Sequence, residues 1–121
     1  MNRIIFVGLL LISISSQAAT IIVTNINDSG LGSLRDAIAN AVNGDVIRFD
    51  PNLLAGSPTI TLQSEIAFSK SLNINGLYNT TDTLRISGNN ICRIFNISNT
   101  TSVVLDSLVL INGYAADSTG K

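Results

Sequence analysis

The chain has 121 residues, of which 7 are basic and 8 acidic, so its formal net charge is -1 at neutral pH. No Lys/Arg cluster is present that would hold nucleic acid or an anionic membrane surface, and both kinds of partner are excluded on this ground. Histidine is absent, which removes the commonest general base and most zinc sites. Because tryptophan is also absent and aromatic residues make up only 5%, Ile, Leu and Val must supply the core.

The first element in chain order is a predicted secretory signal peptide, residues 1–18. Arg3 gives it a positive start, residues 4–14 form an apolar run, and Ser16-Gln17-Ala18 puts small residues at the two positions that a signal peptidase reads. The run is short for a membrane span and polar residues follow it. We therefore expect cleavage and export of a mature chain beginning near Ala19, which is not an integral membrane protein; an uncleaved anchor is the alternative.

A strand and then a short amphipathic helix are predicted next, the helix over residues 34–42. Ser33 is a suitable N-cap, and Asp36 stands three residues later as a capping-box acid. Asn43-Gly44 supplies residues that tolerate the left-handed conformation at a helix end. Five apolar residues recur at the spacing of one helix face, namely Leu34, Ala37, Ile38, Ala41 and Val42. The polar residues, Arg35 among them, fall mostly on the other side.

The stretch Gly30-Leu31-Gly32-Ser33 has a second interpretation, a phosphate-binding loop at a helix N-terminus. A dinucleotide-binding loop would need a third glycine where Arg35 stands, and a P-loop would need Gly-Lys-Ser/Thr at the helix start. Neither pattern is present. The glycines are therefore interpreted as turn formers before a capped helix, and no cofactor is predicted.

From residue 46 onward the apolar periodicity changes from about 3.6 to 2, which is typical of β-strands. The first such strand is residues 46–49, closed by a turn at Asp50-Pro51-Asn52. Five further segments, each bounded by turn residues, are predicted as strands: 59–63, 71–76, 83–88, 93–98 and 102–113. No second helix is predicted.

Three of these segments resemble one another: LNING at Leu72, LRISG at Leu84 and LVLING at Leu108, offset by 12 and then 24 residues. Such offsets match a parallel β-solenoid with coils of twenty-odd residues. A hairpin sandwich is the competitor, because it also has many short strands. Asparagines recur near the turns and favour the solenoid, since stacked coils can align amides in ladders: Asn73, Asn75, Asn89, Asn90, Asn96 and Asn112. Turn formation is their alternative role, and sugar or metal ligation is less favoured.

Taken in order, the segments resemble the N-terminal region of exported bacterial right-handed parallel β-helix repeat proteins, related to the group with a Cys-Ser-Leu-Arg-Glu-Ala signature. At the signature position this chain has Gly32-Ser33-Leu34-Arg35-Asp36-Ala37. The ordered set is VTNINDSGLGSLRDAIANA, GDVIRFDP, TITL, LNINGLYN, TLRISGNN, RIFNIS and LVLING. The resemblance implies an all-β, pectin lyase-like architecture located outside a bacterial cell or on its outer surface, and it implies no single chemistry.

This resemblance gives a predicted division into a signal peptide (1–18), an N-terminal cap (19–58) and the first two to three coils of a truncated parallel β-helix (59–121). The amphipathic helix would cover the open first coil, whose apolar interior and unpaired backbone groups would otherwise invite aggregation. Its covering face would be Leu34, Ile38 and Ala41, and the core beneath would be lined by Leu72, Ile74, Leu84 and Ile86. The other end would be open, so it would continue into further coils or self-associate.

Catalysis is not predicted for these residues. A β-helix lyase or hydrolase needs clustered acids with neighbouring Lys or Arg. The nearest candidates, Arg85 with Asp82 and Arg93 with Asp106, are too sparse. The carboxylates are scattered among turns and caps: Asp28, Asp36, Asp45, Asp50, Glu65, Asp82, Asp106 and Asp117. The single cysteine, Cys92, forms no internal disulfide and is expected to be a small, partly buried filler, with a free reactive thiol as the alternative.

Three functions remain open at this point. The leading one is a non-catalytic exported or cell-surface module, structural or adhesive, at the N-terminus of a larger protein, with a carbohydrate or a host-surface ligand as partner. The second is the N-terminal cap of a β-helix polysaccharide lyase or hydrolase whose active site lies beyond residue 121. The third is a truncated remnant. No catalytic, metal-binding or cofactor-binding residue is predicted.

Overall fold

The computed structural model describes residues 18–77, 79, 81–98 and 101–116. Except for Ala18, the predicted signal peptide lies outside the described residues. Within these ranges, no helix is both long and apolar enough to cross a membrane.

Nine strands and two short helices make up the described chain. In order they are β1 (Thr20–Val23), α1 (Leu34–Asn40), β2 (Val46–Phe49), α2 (Pro51–Leu54), β3 (Thr59–Thr61), β4 (Ile66–Phe68), β5 (Leu72–Asn75), β6 (Leu84–Ser87), β7 (Phe95–Ile97), β8 (Val103–Asp106) and β9 (Leu108–Ile111). The predicted all-β class is confirmed.

The strands form three parallel sheets. Sheet 1 has the order β1-β2-β5-β8, sheet 2 has β3-β6-β9, and sheet 3 has β4-β7. Every strand pairing in the described chain is parallel, so the antiparallel hairpin sandwich is wrong. From β2 to β9 the chain visits sheets 1, 2 and 3 in turn, and then begins the same order again.

The strand register confirms one part of the predicted sequence repeat. Leu84 lies opposite Leu108, 24 residues later, so LRISG and LVLING are stacked neighbours in sheet 2. LNING belongs to sheet 1, where Leu72 lies opposite Val103, 31 residues later. The 24-residue offset is therefore a structural repeat, whereas the 12-residue offset joins strands of different sheets.

The expected asparagine ladder is wrong. Asn73 lies opposite Val46 on one side and Val104 on the other, and none of the described strand pairs places one asparagine opposite another. Because the spacing between paired strands varies, asparagines near the turns come out of phase. Their turn role is confirmed for three that have positive φ angles: Asn89 (56°), Asn90 (60°) and Asn112 (52°).

The core is one cluster of aliphatic side chains that all three sheets and both helices share. Alternate strand residues point into it, so Ile47 and Ile74 of sheet 1 and Ile60 and Ile86 of sheet 2 are completely buried. The predicted lining residues and helix face are all buried in this cluster, which confirms that prediction: Leu34, Ile38, Ala41, Leu72, Ile74, Leu84 and Ile86.

Helix α1 is shorter than predicted. It ends at Asn40, and its C-cap Ala41 is extended, with φ -68° and ψ 152°. Val42 is therefore off the helix and 62% exposed instead of belonging to the apolar face. The Asp45 carboxylate accepts a hydrogen bond from the Val42 amide and holds the chain in this extended path. The predicted helix end at Asn43-Gly44 is instead the turn that leads into β2.

A second helix, α2, forms where only a turn was predicted. Asp50 is its N-cap, because its Oδ1 accepts a 2.8 Å hydrogen bond from the Asn52 amide. Pro51 occupies the first helical position, where its missing N–H and fixed φ are favourable. The prediction of a single helix is therefore wrong, and Asp-Pro was the signal for a helix start.

Two strand predictions also need correction. The segment 102–113 is not one strand, because Ser107 has a φ of 56° and divides it into β8 and β9, which belong to different sheets. Strand β4 was not predicted at all. It has only three residues, too few for a periodicity of 2 to be recognised.

Replacing Ile38 by aspartate should destabilise the folded chain. Ile38 is buried where α1 packs on the core, so the variant would bury an unpaired charge at a cost of about 4 kcal/mol or more in the free energy of unfolding. Urea unfolding and the amount of secreted protein measure the effect. Leu31→Asp is the matched control, because Leu31 is 92% exposed and a change within about 0.5 kcal/mol is expected. A soluble, equally stable Ile38→Asp protein would contradict the packing of α1.

Candidate functional site

The two edges of the sheets are covered differently. The first-strand edge consists of β1, β3 and β4, each the first strand of its sheet, and the last-strand edge consists of β7, β8 and β9, each the last. Helix α1 contacts β1 and β4 and so lies at the first-strand edge. In the described chain no corresponding helix lies at the last-strand edge.

The start of α1 is fixed by Ser33, as predicted. Its Oγ accepts a 3.1 Å hydrogen bond from the Asp36 amide and donates a 2.7 Å bond to the Gly30 carbonyl. The reciprocal half of the predicted capping box is wrong, because the Ser33 amide also donates to the Gly30 carbonyl. The Asp36 side chain instead accepts from the Asn40 amide group, one helical turn later.

Gly32, which stands where the signature has cysteine, is required by the backbone. Its φ of 83° lies in the left-handed region, and a Cβ atom there would collide with the side chain of Thr24. The Thr24 amide donates a 2.9 Å hydrogen bond to the Gly32 carbonyl. The glycine-rich stretch thus holds the loop against the end of β1, which supports its interpretation as a structural turn.

Arg35 anchors the helix at its N-terminal end. Its guanidinium donates to the Asp28 carbonyl and to Asp28 Oδ1, both at 3.0 Å. It also donates to the carbonyls of Ser64 at 2.6 Å and Glu65 at 2.8 Å, in the turn between β3 and β4. One side chain therefore joins the loop before α1, the helix itself and the first-strand edge.

Lys70 anchors the other end of α1. Its Nζ donates to the carbonyls of Ile38 at 2.7 Å and Ala39 at 2.9 Å. Carbonyls in the last turn of a helix lack intrahelical partners and carry partial negative charge, so an ammonium group satisfies both needs. Sequence reasoning missed both anchors. Arg35 offered one signal, since a cation in the first turn opposes the helix dipole and needs a partner elsewhere.

Two carboxylates at this edge are held in their ionised form. Burial raises the pKa of Asp28, but the hydrogen bond from the Gln63 amide and the adjacent Arg35 outweigh it, so the pKa lies below its usual value. The pKa of Glu65 is also lowered, first by a hydrogen bond from Asn96 and then by Arg93. Both acids act as fixed acceptors that hold turns and loops.

The arginine and aspartate pairs considered for catalysis do not form. Arg93 binds Glu65 at 2.8 Å instead of Asp106, and Arg85 donates to the carbonyl of Ser57. The remaining described carboxylates accept hydrogen bonds within turns, caps and loops: Asp36, Asp45, Asp50, Asp82 and Asp106. Asp117 lies outside the described residues. No metal-binding group of three or more His, Cys, Asp or Glu is found in the part of the chain that the structure describes.

Cys92 is a partly buried filler, as predicted. It packs against the core cluster, and its Sγ lies 3.4 Å from the Gly88 carbonyl. The thiol forms no disulfide in the described chain. Its surroundings are therefore those of a small packing residue.

The last-strand edge exposes the ends of apolar columns. In sheet 1, Ile47 and Ile74 are completely buried, whereas Leu105, which pairs next in the column, is 38% exposed. Sheet 2 repeats this arrangement, since the buried Ile60 and Ile86 lead to Leu110, which is 44% exposed. Leu105 and Leu110 line an open, mostly apolar hollow of about 390 Å³. This surface is the candidate interaction site.

Comparison with protein-family models, with curated proteins and with solved structures finds no match to this chain. Its resemblance to exported β-helix proteins therefore stays a prediction that depends on the quoted segments.

Replacing Arg35 by methionine should lower the free energy of unfolding by about 2–3 kcal/mol, because it leaves a carboxylate and partly buried carbonyls without their donor. Urea unfolding at pH 7 measures the change. Arg48→Met is the matched control, since Arg48 makes one 3.4 Å hydrogen bond to the carbonyl of Leu77 and should change the value by less than about 0.5 kcal/mol. Equal effects of the two substitutions would contradict the anchoring role of Arg35.

Acidification should expose the contribution of Asp28. Because its pKa is lower in the folded chain, its stabilisation is fully present above the unfolded value of about 3.9 and is lost as the pH falls through the folded value. Asp28→Asn should therefore be less stable than the original chain at pH 6 but lose less on going to pH 3. Urea midpoints at the two pH values measure this. The same loss in both proteins would be inconsistent with an ionised, hydrogen-bonded Asp28.

Proposed function

We propose that this chain is the capped first part of an exported right-handed parallel β-helix, and that it serves as a non-catalytic structural or adhesive module of a bacterial cell surface. The observation that carries the proposal is the repeated passage of the chain through sheets 1, 2 and 3. Each such passage is one coil of the proposed helix, and its inward residues stack on those of the next.

The position of α1 supports its role as a cap. It follows β1 in sheet 1, so it occupies the place in the chain where a coil would supply strands to sheets 2 and 3. Its buried face, Leu34, Ala37 and Ile38, joins the core, and Arg35 and Lys70 bind it to β-strand connections. A cap of this kind would prevent end-to-end association through the first coil.

The last-strand edge supports continuation into further coils. Leu105 and Leu110 occupy the same columns as completely buried residues of earlier strands. A further parallel coil would bury them at roughly 25 cal/mol per Å² of apolar surface and pair the free backbone edge of β8 and β9. Self-association through this edge is the competing way to cover it.

The use of the charged residues favours a non-catalytic module over the N-terminal cap of a polysaccharide lyase or hydrolase. Arg35, Arg85 and Arg93 donate to backbone carbonyls or to single structural carboxylates. A lyase or hydrolase would place acids and bases together on one solvent face. The partner is proposed to be a carbohydrate or a host-surface ligand, which the exposed faces of an extended stack would bind.

Aspartate substitutions at two adjacent positions of β9 test whether a coil stacks on this edge. Leu110 is 44% and Val109 is 40% exposed in the described chain, and the alternation of β9 directs them to opposite faces. In the complete gene product, Leu110→Asp should strongly reduce the secreted, folded protein because a stacked coil buries the charge. Val109→Asp should be tolerated because it faces outward.

Similar, mild effects of the two substitutions would argue against a stacked coil at this edge. Concentration-dependent association that Leu110→Asp abolishes would favour contact between copies instead of further coils. Release of unsaturated or shortened sugars from polyuronates by the complete protein would favour the enzyme alternative. Absence of stable secreted protein in the unsubstituted case would favour a remnant.

A further inference from the structure

Asp45 is a buried carboxylate at the beginning of sheet 1. It is 3% exposed, and it precedes β2 directly. Its Oδ1 accepts a 3.0 Å hydrogen bond from the backbone nitrogen of Ala19, and its Oδ2 accepts a 2.9 Å bond from the amide of Val42. Both donors are neutral peptide groups in a chain that continues before Ala19.

The burial of Asp45 without a cation is unfavourable. Across residues 18–77, 79, 81–98 and 101–116, no lysine or arginine nitrogen lies within 4.0 Å of this carboxylate, since the two ion pairs found there are Arg35–Asp28 and Arg93–Glu65. Removing an ionised carboxylate from water costs several kcal/mol unless an opposite charge compensates. The site therefore lacks one component, a positive charge next to the oxygens.

The nitrogen beside Asp45 is the atom that signal-peptide removal would convert to a cation. The small residues Ser16 and Ala18 place the expected cleavage at the bond between Ala18 and Ala19. This interpretation comes from residues 16–18, whereas the 3.0 Å contact comes from the fold. Two independent observations thus meet at one backbone nitrogen.

We propose that Asp45 is the receptor for the new amino terminus of the mature protein. Water hydrolyses the bond between Ala18 and Ala19, its hydroxyl going to the Ala18 carbonyl carbon and its proton to the Ala19 nitrogen. That amine, whose usual pKa is about 7.7–8.0, takes a further proton from solvent at neutral pH. The existing hydrogen bond then becomes an ammonium–carboxylate ion pair, which is stronger than a bond between neutral groups.

The ion pair would couple export to the stability of the first-strand edge. The carbonyl of Ala19 already accepts a 2.9 Å hydrogen bond from the Val46 amide, so the new terminus would be attached to β2 by both its nitrogen and its oxygen. The uncleaved precursor would have only the neutral bond and would unfold more easily than the mature chain. This inference depends on the proposed export.

The test combines two changes in the chain exported from a bacterial host. Insertion of one glycine between Ala18 and Ala19 moves the ammonium group away by about 3.8 Å, and Asp45→Asn removes the receptor charge. Mass spectrometry identifies each mature terminus, and urea unfolding gives each equilibrium constant. With Asp45 present, the insertion should raise the unfolding constant about tenfold. In the Asp45→Asn background, which is the matched control, it should raise the constant less than twofold.

Selective acetylation of the amino terminus of the purified mature chain is a second measurement, because it removes the charge without changing chain length. It should have the same effect as the insertion, again only with Asp45 present. Equal effects of acetylation in the two backgrounds would overturn the ion pair. An exported chain that starts at another residue would overturn this inference while leaving export intact, whereas a retained chain that still starts at Met1 would overturn the proposed export as well.

Discussion

The in-register stacking of inward-facing aliphatic side chains is the interaction on which the rest of the structure depends. Ile47 on Ile74 in sheet 1, and Ile60 on Ile86 in sheet 2, form columns in which each side chain packs on an equivalent one. Branched aliphatic residues suit such columns because they fit a pleated surface with little loss of rotamer freedom. The low aromatic content follows from this geometry, since similar, compact side chains are easier to stack than large rings.

Parallel stacking creates two edges that must be managed, and the chain treats them differently. At the first-strand edge, the apolar face of α1 supplies burial while Arg35 and Lys70 supply hydrogen bonds to the backbone. Burial alone would let so short a helix slide, because hydrophobic contact is non-directional. The two cations fix its position at opposite ends. The last-strand edge has exposed leucines instead, which gives the proposed β-helix a defined direction of growth.

Local signals in the sequence predicted a substantial part of this arrangement. Ser33 as N-cap, the buried face of α1 and the stacking of LRISG on LVLING depend on neighbouring residues or on a repeat, and all are confirmed. Strand β4 was missed because three residues carry too little periodicity, and Ser107 was missed because its positive φ has no local signature. The asparagine ladder failed because equal coil lengths were assumed. The anchoring bonds of Arg35 join residues about 30 positions apart, a distance that no local pattern contains.

The same contrast applies to the charged residues. In a chain without histidine, the scattered acids suggested turn chemistry, and most of them hold turns, caps or loops. Asp45 differs, because it is buried against the nitrogen of Ala19 while no lysine or arginine in the described chain pairs with it. Sequence alone gives Asp45 no distinction, since it is one acid in a polar turn, and the structure alone gives no reason for its missing counter-ion. Only the cleavage motif and the 3.0 Å contact together make the carboxylate part of maturation, and they locate the expected gain in stability at the edge that α1 covers.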